Sequence, residues 1–210
     1  MINDIFGVLY LKDNMSEESR KLETVTGQLI DINNPDPATI CIEDIAWGLS
    51  RMSRFCGHTI TAIPPTVAQH CVFVSDTLMK KHNNRELALV GLLHDASESY
   101  IGDIPSPVKH LPDVHEVINK IEKNLLNIIY TNFLGRIPTD EEYKLCHHAD
   151  KTAQFIEAHH FMNSRGRHWP NRKQYDFTIK ELHDYPEILT PINAYDSFMA
   201  KFHLLSKTDC

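Results

Sequence analysis

Glycine is scarce in this chain, with eight among 210 residues against a usual share of about 7%. None of the glycine-rich signatures occurs: no GxGxxG, no GxxxxGK(S/T), no GxSxG. Dinucleotide folds, P-loops and nucleophile elbows therefore lose their main support. The five cysteines, at positions 41, 56, 71, 146 and 210, are odd in number and form no CxxC pair. That argues against a disulfide framework or a zinc ribbon and for reduced thiols. Long apolar runs are missing too. The clearest is Leu87-Ala-Leu-Val-Gly-Leu-Leu93, far short of the roughly 20 residues that span a bilayer. The first residues, MINDIFGVLYLKDNMSEES, lack a basic start followed by an apolar stretch and a cleavage site. The expectation is a cytoplasmic protein with no membrane partner. Positive charge is the last shortage: 21 Lys and Arg face 28 Asp and Glu, a net charge of −7. A broad electrostatic grip on nucleic acid is disfavoured, and an anionic substrate needs a local basic pocket.

What is present points to one globular domain over residues 1–210. Apolar residues make up 42% and charged residues 23%, close to the soluble average, and the length suffices to bury a core. A small hairpin around Gly27 is expected within 24–31, and Asn33-Asn-Pro-Asp-Pro37 reads as a turn. Helical periodicity then dominates. Ile42, Ile45, Ala46, Leu49 and Met52 share one face, behind Glu43 and Asp44 in the first turn. Trp47 is expected in the core. The chain breaks at Cys56-Gly57-His58 and Pro64-Pro65. Thr66 to Gln69 reads as a capping box opening a helix that turns Val67, Cys71, Val74 and Leu78 inward. Residues 86–98 form a further helix, ending near Gly102. Asp113 with Glu116 caps a long helix with the stripe Val114, Val117, Ile118, Ile121, Leu125, Ile128 and Ile129. Thr139 to Glu142 is a second capping box, opening a helix to about Phe161. Pro191 starts the last helix, with Ile192, Tyr195, Phe198, Met199 and Phe202 inward. The fold expected is all-α, a bundle of six or seven helices.

Histidine is over-supplied, with 13 copies. The dipeptide His94-Asp95 is a weak signal alone, since the chain also has His183-Asp184, which reads as a surface turn. His94-Asp95 differs because it follows a helix apolar enough to be buried, where ionisable side chains need partners. Glu98 shares their helical face, and Asp103 follows the Gly102 break. Four titratable groups within ten residues beside an apolar helix are costly to bury without a cation. His70 borders the inward face of its helix; read alone, it fits a core histidine bonded to a carbonyl. Asp150, read alone, fits a solvated carboxylate, sharing a face with Cys146, His147, Ala153 and Glu157. Together, His70, His94, Asp95 and Asp150 supply two imidazoles and two carboxylates from separate helices, a suitable donor set for a divalent first-row metal.

The pattern H…HD…D resembles the HD-domain phosphohydrolase superfamily. The stretches Ser53-Arg54-Phe55-Cys-Gly57-His58-Thr59, Val67-Ala-Gln-His70, Leu93-His94-Asp95-Ala-Ser-Glu98 through Gly102-Asp103-Ile-Pro105-Ser-Pro107-Val-Lys109, and His148-Ala-Asp150-Lys-Thr-Ala153 resemble its deoxynucleotide-hydrolysing branch. That branch includes bacterial 5′-deoxynucleotidases and phage dATP triphosphohydrolases. The resemblance covers about residues 42–160, the expected core of a single HD domain. It implies that His70, His94, Asp95 and Asp150 hold the metal (Mn, Co, Zn, Ni or Fe, with Mg on substrate phosphates). It implies that Glu98 does acid–base chemistry and that Asp103 positions the sugar or assists proton transfer. Arg54 would contact phosphate or sugar, Phe55 would pack on the nucleoside, and Lys109 would reach phosphate. His58 and His147 would lie just behind the site. The implied activity is hydrolysis of dNTPs, dATP among them, or of deoxynucleoside monophosphates by a homo-oligomeric enzyme. Two other readings compete. (p)ppGpp hydrolases carry HDxxED, but here Ser99 replaces the second acid. A non-catalytic nucleotide sensor would be expected to have lost ligands that this chain retains. The basic stretch 164–173 reads as a solvated loop.

Overall fold

The computed structural model describes residues 21–170, 175 and 185–206. Strands β1 (Lys21–Glu23) and β2 (Leu29–Asp31) pair antiparallel, with Leu22 opposite Ile30. Gly27 sits in the connecting turn at φ +81°, where a side chain would be strained. Asp44, in the first turn of α1 (Ile42–Arg51), clamps this hairpin to the bundle. Its carboxylate accepts from the Thr26 backbone N–H at 2.9 Å and the Thr26 hydroxyl at 2.8 Å.

The bundle has six helices of nine residues or more among the described residues, plus two single turns. In α1 the expected face is buried at Ile42, Ile45, Ala46 and Leu49. Trp47 departs from expectation: it is half-buried, stacked on Tyr195 at 4.1 Å between ring centroids, with the Arg51 guanidinium over its other side at 4.3 Å. Its ring seals a seam between helices instead of filling the core.

Helix α2 (Val67–His82) buries Val67, Cys71, Val74 and Leu78 as the periodicity requires. Its cap is half a capping box. Thr66 accepts from the Gln69 backbone N–H at 3.2 Å, but the Gln69 amide turns away to bond Glu187 and Leu189 of the later chain. Asn83, at φ +46°, ends α2, and Asn84 caps α3 (Arg85–Leu93). Every residue from Leu87 to Leu93 is buried, because a helix apolar on all sides is stable only at the centre of a bundle. Gly91 makes its packing on α2 possible: a Cβ there would lie 2.5 Å from Leu78 Cδ1.

The helix expected over 86–98 is interrupted. After Leu93 the backbone tightens into i→i−3 bonds (Ala96 to Leu93, Glu98 to Asp95, Tyr100 to Ser97) before the short α4 (Glu98–Ile101). Gly102, at φ +85°, stops it. The single turn α5 (Ser106–Lys109) leads to α6 (Pro112–Leu134). Leu111 is the N-cap of α6 and Pro112 its first residue. Asp113 therefore lies inside the first turn and is not the cap. Of the apolar stripe, Leu125 and Ile129 are buried, while Val117 is 57% exposed. The first half of α6 extends beyond its neighbours.

Helix α7 (Asp140–Phe161) opens with the complete capping box that Thr139 and Glu142 predict. Helix α8 (Pro191–Ser206) buries Ala194, Phe198, Phe202 and Leu205; Ile192 is exposed, and Tyr195 and Met199 are half-buried. Its face is rotated towards i, i+4, i+8 from Ala194 by packing on α1, α2 and α3. His183-Asp184 and residues 171–174 of the basic stretch lie outside the described residues.

Candidate metal centre

Three elements bring four side chains together. His70 comes from α2, His94 and Asp95 from the tightened turn after α3, and Asp150 from α7. One donor atom each from His70, His94 and Asp150 lies within 4.8 Å of the others. Asp95 Oδ2 is 3.2 Å from His94 Nε2 and 3.8 Å from His70 Nε2, and Asp150 Oδ1 is 3.2 Å from His70 Nε2 and 3.8 Å from His94 Nε2. Cys71 Sγ forms a second, overlapping group with His94 and Asp95. Burial pushes its thiol up to about 11, so it is the weaker donor.

Both imidazoles have Nδ1 committed elsewhere. His70 Nδ1 donates to Glu157 Oε1 at 3.0 Å, and His94 Nδ1 donates to the Gly91 carbonyl at 2.8 Å. That leaves both Nε2 atoms facing the two aspartates. His94 Nε2 is buried and makes no hydrogen bond, since Asp95 is near but poorly aligned. A buried polar atom left without a partner costs about 1–3 kcal/mol. Burial disfavours charge on all four groups, yet attraction wins: the histidines hold both aspartates below their ordinary values, the aspartates raise His94, and Glu157 with Asp150 raises His70 against Arg54. Two nitrogens and two carboxylates with oriented rings and one orphaned nitrogen fit a divalent first-row ion.

Most of the remaining predicted residues lie about this cluster or the cavity next to Arg54. Glu98, in α4, is buried; burial first, then Asp95 and Asp103, push its carboxyl up to about 9 against Lys109 and Arg54. Lys109 Nζ sits 3.2 Å from Glu98 Oε1 and 2.8 Å from Glu122 Oε1, leaving Glu98 Oε2 unpartnered. Glu122, on α6, carried no signal in the sequence beyond a charged helical face. Asp103 is raised by burial, and it lines a cavity of about 590 Å³ beside the cluster.

Arg54 and Phe55 reach the same cavity through a strained turn. Phe55 and Cys56 have φ of +55° and +52°, ahead of Gly57 at +77°. Such residues cost about 1–3 kcal/mol each and persist where the surroundings enforce them. Phe55 forms one wall, with Trp169 against it at 5.7 Å between ring centroids; Phe155 packs on Trp169 at 6.0 Å, and Tyr175 stacks on Phe155 at 5.7 Å. These three further rings escaped the sequence reading, because Phe155 belongs to a helix face and the others to a loop. Arg54 is only 8% exposed. Its Nε and Nη2 donate to Glu157 Oε2 at 3.2 and 3.1 Å, while Nη1 lies 3.9 Å from Asp95 Oδ2. His147 is exposed at the cavity rim, and His58 is exposed without a place in the cluster.

Comparisons with known proteins give one family match and several similar chains. A family model described as 5′-deoxynucleotidase YfbR-like matches residues 50–202. Over 102 residues the chain is 36% identical to the uncharacterized protein YfdR of Escherichia coli, which is 48% of this chain and 53% of that protein. Over 87 residues it is 36% identical to the uncharacterized protein RCAP_rcc00048 of Rhodobacter capsulatus, 40% of this chain and 44% of that protein. The matched stretch spans about half the length of these curated relatives. Among solved structures, a cyanophage S-2L HD phosphohydrolase (DatZ), bound to dA and one catalytic Zn2+ ion, aligns over 80% of this chain and 99% of that chain, with a TM-score of 0.46 and 19% identity.

Proposed function

The chain belongs to the YfbR-like 5′-deoxynucleotidase family, and from that membership and the site geometry we propose that it hydrolyses the 5′-phosphate ester of deoxynucleoside monophosphates with a divalent first-row metal. The observation that carries the reading is the pair of oriented Nε2 atoms facing Asp95 and Asp150, one of them orphaned, beside a cavity walled by aromatic rings. His70, His94, Asp95 and Asp150 would hold the ion, which when bound supplies a Lewis acid that acidifies water and neutralises phosphate oxygens.

The chain's own groups do the rest. The Nη1 edge of Arg54 is left to meet a phosphate oxygen, since Nε and Nη2 are held by Glu157. Phe55, Phe155, Trp169 and Tyr175 offer ring faces to a nucleobase or sugar and exclude water from that side. Glu98 Oε2 is the unpartnered oxygen of a buried carboxyl, and in this reading it would exchange a proton with water or the leaving group. Asp103 faces the cavity, where a sugar hydroxyl would find an acceptor.

We read phosphate length from the partners of Lys109. Its ammonium is already shared between Glu98 and Glu122, which leaves Arg54 and Lys151 as the cations lining the cavity; Lys151 is itself 3.3 Å from Asp150 Oδ2, and this limited positive charge suits a single phosphoryl group. The (p)ppGpp reading weakens for a packing reason: Ser99 abuts Gly48 of α1, where a Cβ on the glycine would be 2.7 Å from Ser99 Cβ, so position 99 is spent on a helix contact. No described helix is long and apolar enough to cross a membrane. We read the enzyme as cytoplasmic and homo-oligomeric, with the exposed apolar edge of α6 at Val117 available to a second copy.

The test is a product assay with metal-loaded protein on dNMPs, dNTPs, NMPs and (p)ppGpp. Orthophosphate and deoxynucleoside from dNMPs is the expected result. Tripolyphosphate from dNTPs, with dNMPs untouched, would replace this reading by a triphosphohydrolase, and turnover of (p)ppGpp alone would refute it.

A further inference from the structure

We propose that Glu157 is the positioning residue of this site, setting the donor atom of His70 and the free edge of Arg54 through one carboxylate. The inference rests on the metal-centre reading above. Glu157 lies seven residues after Asp150 on α7, so both carboxylates point from the same helical stripe. It is 0% exposed. His70 Nδ1 and the Tyr185 hydroxyl donate to Oε1, both at 3.0 Å, and Arg54 donates to Oε2 from Nε at 3.2 Å and Nη2 at 3.1 Å.

Each bond removes a freedom. With Arg54 against it, the carboxylate is an acceptor only. His70 Nδ1 must therefore carry a hydrogen, and the lone pair falls on Nε2, which faces Asp150 and Asp95. His94 needs no such partner, because a backbone carbonyl fixes it. His70 alone depends on a side chain for its orientation. On the other oxygen, occupying Nε and Nη2 of Arg54 turns Nη1 towards the cluster. The metal ligand and the phosphate donor are thus registered to each other by one group. Simple charge neutralisation of a buried arginine does not require the second oxygen to meet a metal-site histidine. Nor is a buried ion pair retained for stability alone, since apolar replacements often serve as well.

The experiment compares the full-length wild type, E157Q and Y185F. Binding of Co2+ or Zn2+ is titrated against a chromophoric chelator, and KM is measured on a dNMP. An amide at 157 has one acceptor oxygen, and the two Arg54 donors that converge on Oε2 claim it, so the NH2 group faces His70 Nδ1 and His70 loses its acceptor. E157Q should bind metal roughly 10–100-fold more weakly, and KM should rise. Y185F removes a bond to the same carboxylate but leaves both clients held, so its metal affinity should stay at the wild-type value. E157Q binding metal like the wild type, whatever its thermal stability, would overturn the proposal. Imidazole 15N spectra of the metal-loaded wild type decide the question if E157Q does not fold: Nδ1–H with metal on Nε2 of His70 is expected, and metal on Nδ1 overturns it. If the wild type itself takes up no metal, the metal-centre reading falls and this inference with it; metal binding unchanged by E157Q sinks the inference alone.

Discussion

Arg54 and Lys109 bring positive charge to an acidic site, and their partners decide how each can be used. Arg54 is anchored by two of its nitrogens and keeps one edge for a ligand. Lys109 has both flanks against carboxylates and serves to hold Glu98. Asp95 contributes differently: its oxygen approaches both imidazoles and the Arg54 guanidinium. D95A should abolish tight metal binding and turnover while leaving the helical circular-dichroism spectrum unchanged, because the residue sits in a turn at the edge of the core. Metal content by elemental analysis checks this. E98Q should keep the metal, since Glu98 lies outside the donor cluster, but slow turnover by about 10²–10⁴-fold, the usual worth of positioned acid–base catalysis. Single-turnover rates of metal-matched samples separate that effect from binding.

At the scale of elements, helix starts were the most legible features, and only some held in full. Thr139 and Glu142 form a reciprocal box, reinforced by Arg136, whose guanidinium donates to both Glu142 oxygens at 2.8 Å. That arginine lies outside the four-residue motif, so the box gave no sign of it. The Arg136 bonds come first and the Thr139 bonds follow; together they outweigh burial and hold the Glu142 carboxyl down at about 2 from 4.5. A carboxyl with a lower pKa folded than unfolded binds fewer protons when folded, so its stabilisation is full above about 4.5 and lost as pH falls through 2. E142Q should therefore flatten the acid limb of the stability curve between those values. T139A should cost about 1 kcal/mol at neutral pH, read by chemical denaturation. At Thr66 the same motif yields only half a box, because Gln69 found tertiary partners in the chain near 187–189. The interruption at 94–97 was likewise invisible: the residues are compatible with a continuous helix, and packing sets the tightening.

On the scale of the whole molecule, the site is a joint between α2, the turn after α3, and α7, so a ligand there ties the bundle together. Saturating Zn2+ should raise the melting temperature, contributing about 2.7 kcal/mol at a hundred times Kd, and a chelator should reverse the shift. Scanning calorimetry with and without metal measures it. The contact that places Glu98 is remote from the metal. Gly48 lets α1 approach Ser99, with the Ser99 backbone 3.0 Å from a Cβ at that position. G48A would gain about 1 kcal/mol of helix propensity but meet backbone that cannot rotate away, and overpacking costs about 1–3 kcal/mol. The expected outcome is net destabilisation and a slower enzyme, as α4 shifts with its carboxylate.

The sequence by itself determined the helical class, most element boundaries and the identity of the clustered residues. The class and boundaries follow from local rules, apolar period and capping side chains; the clustered residues follow from the improbability of burying His94, Asp95, Glu98 and Asp103 without a cation and, for His70 and Asp150, from the resemblance of the H…HD…D pattern to the HD superfamily. The tertiary structure decided what each donor is free to do. That Arg54 is half-occupied, that Lys109 is spent, that Gln69 leaves its box and that Glu157 joins His70 to Arg54 are contacts between residues 11 to 120 positions apart. Hydrogen-bond donors are finite in number and saturate, so their availability depends on every partner the fold brings near. No local pattern carries that information.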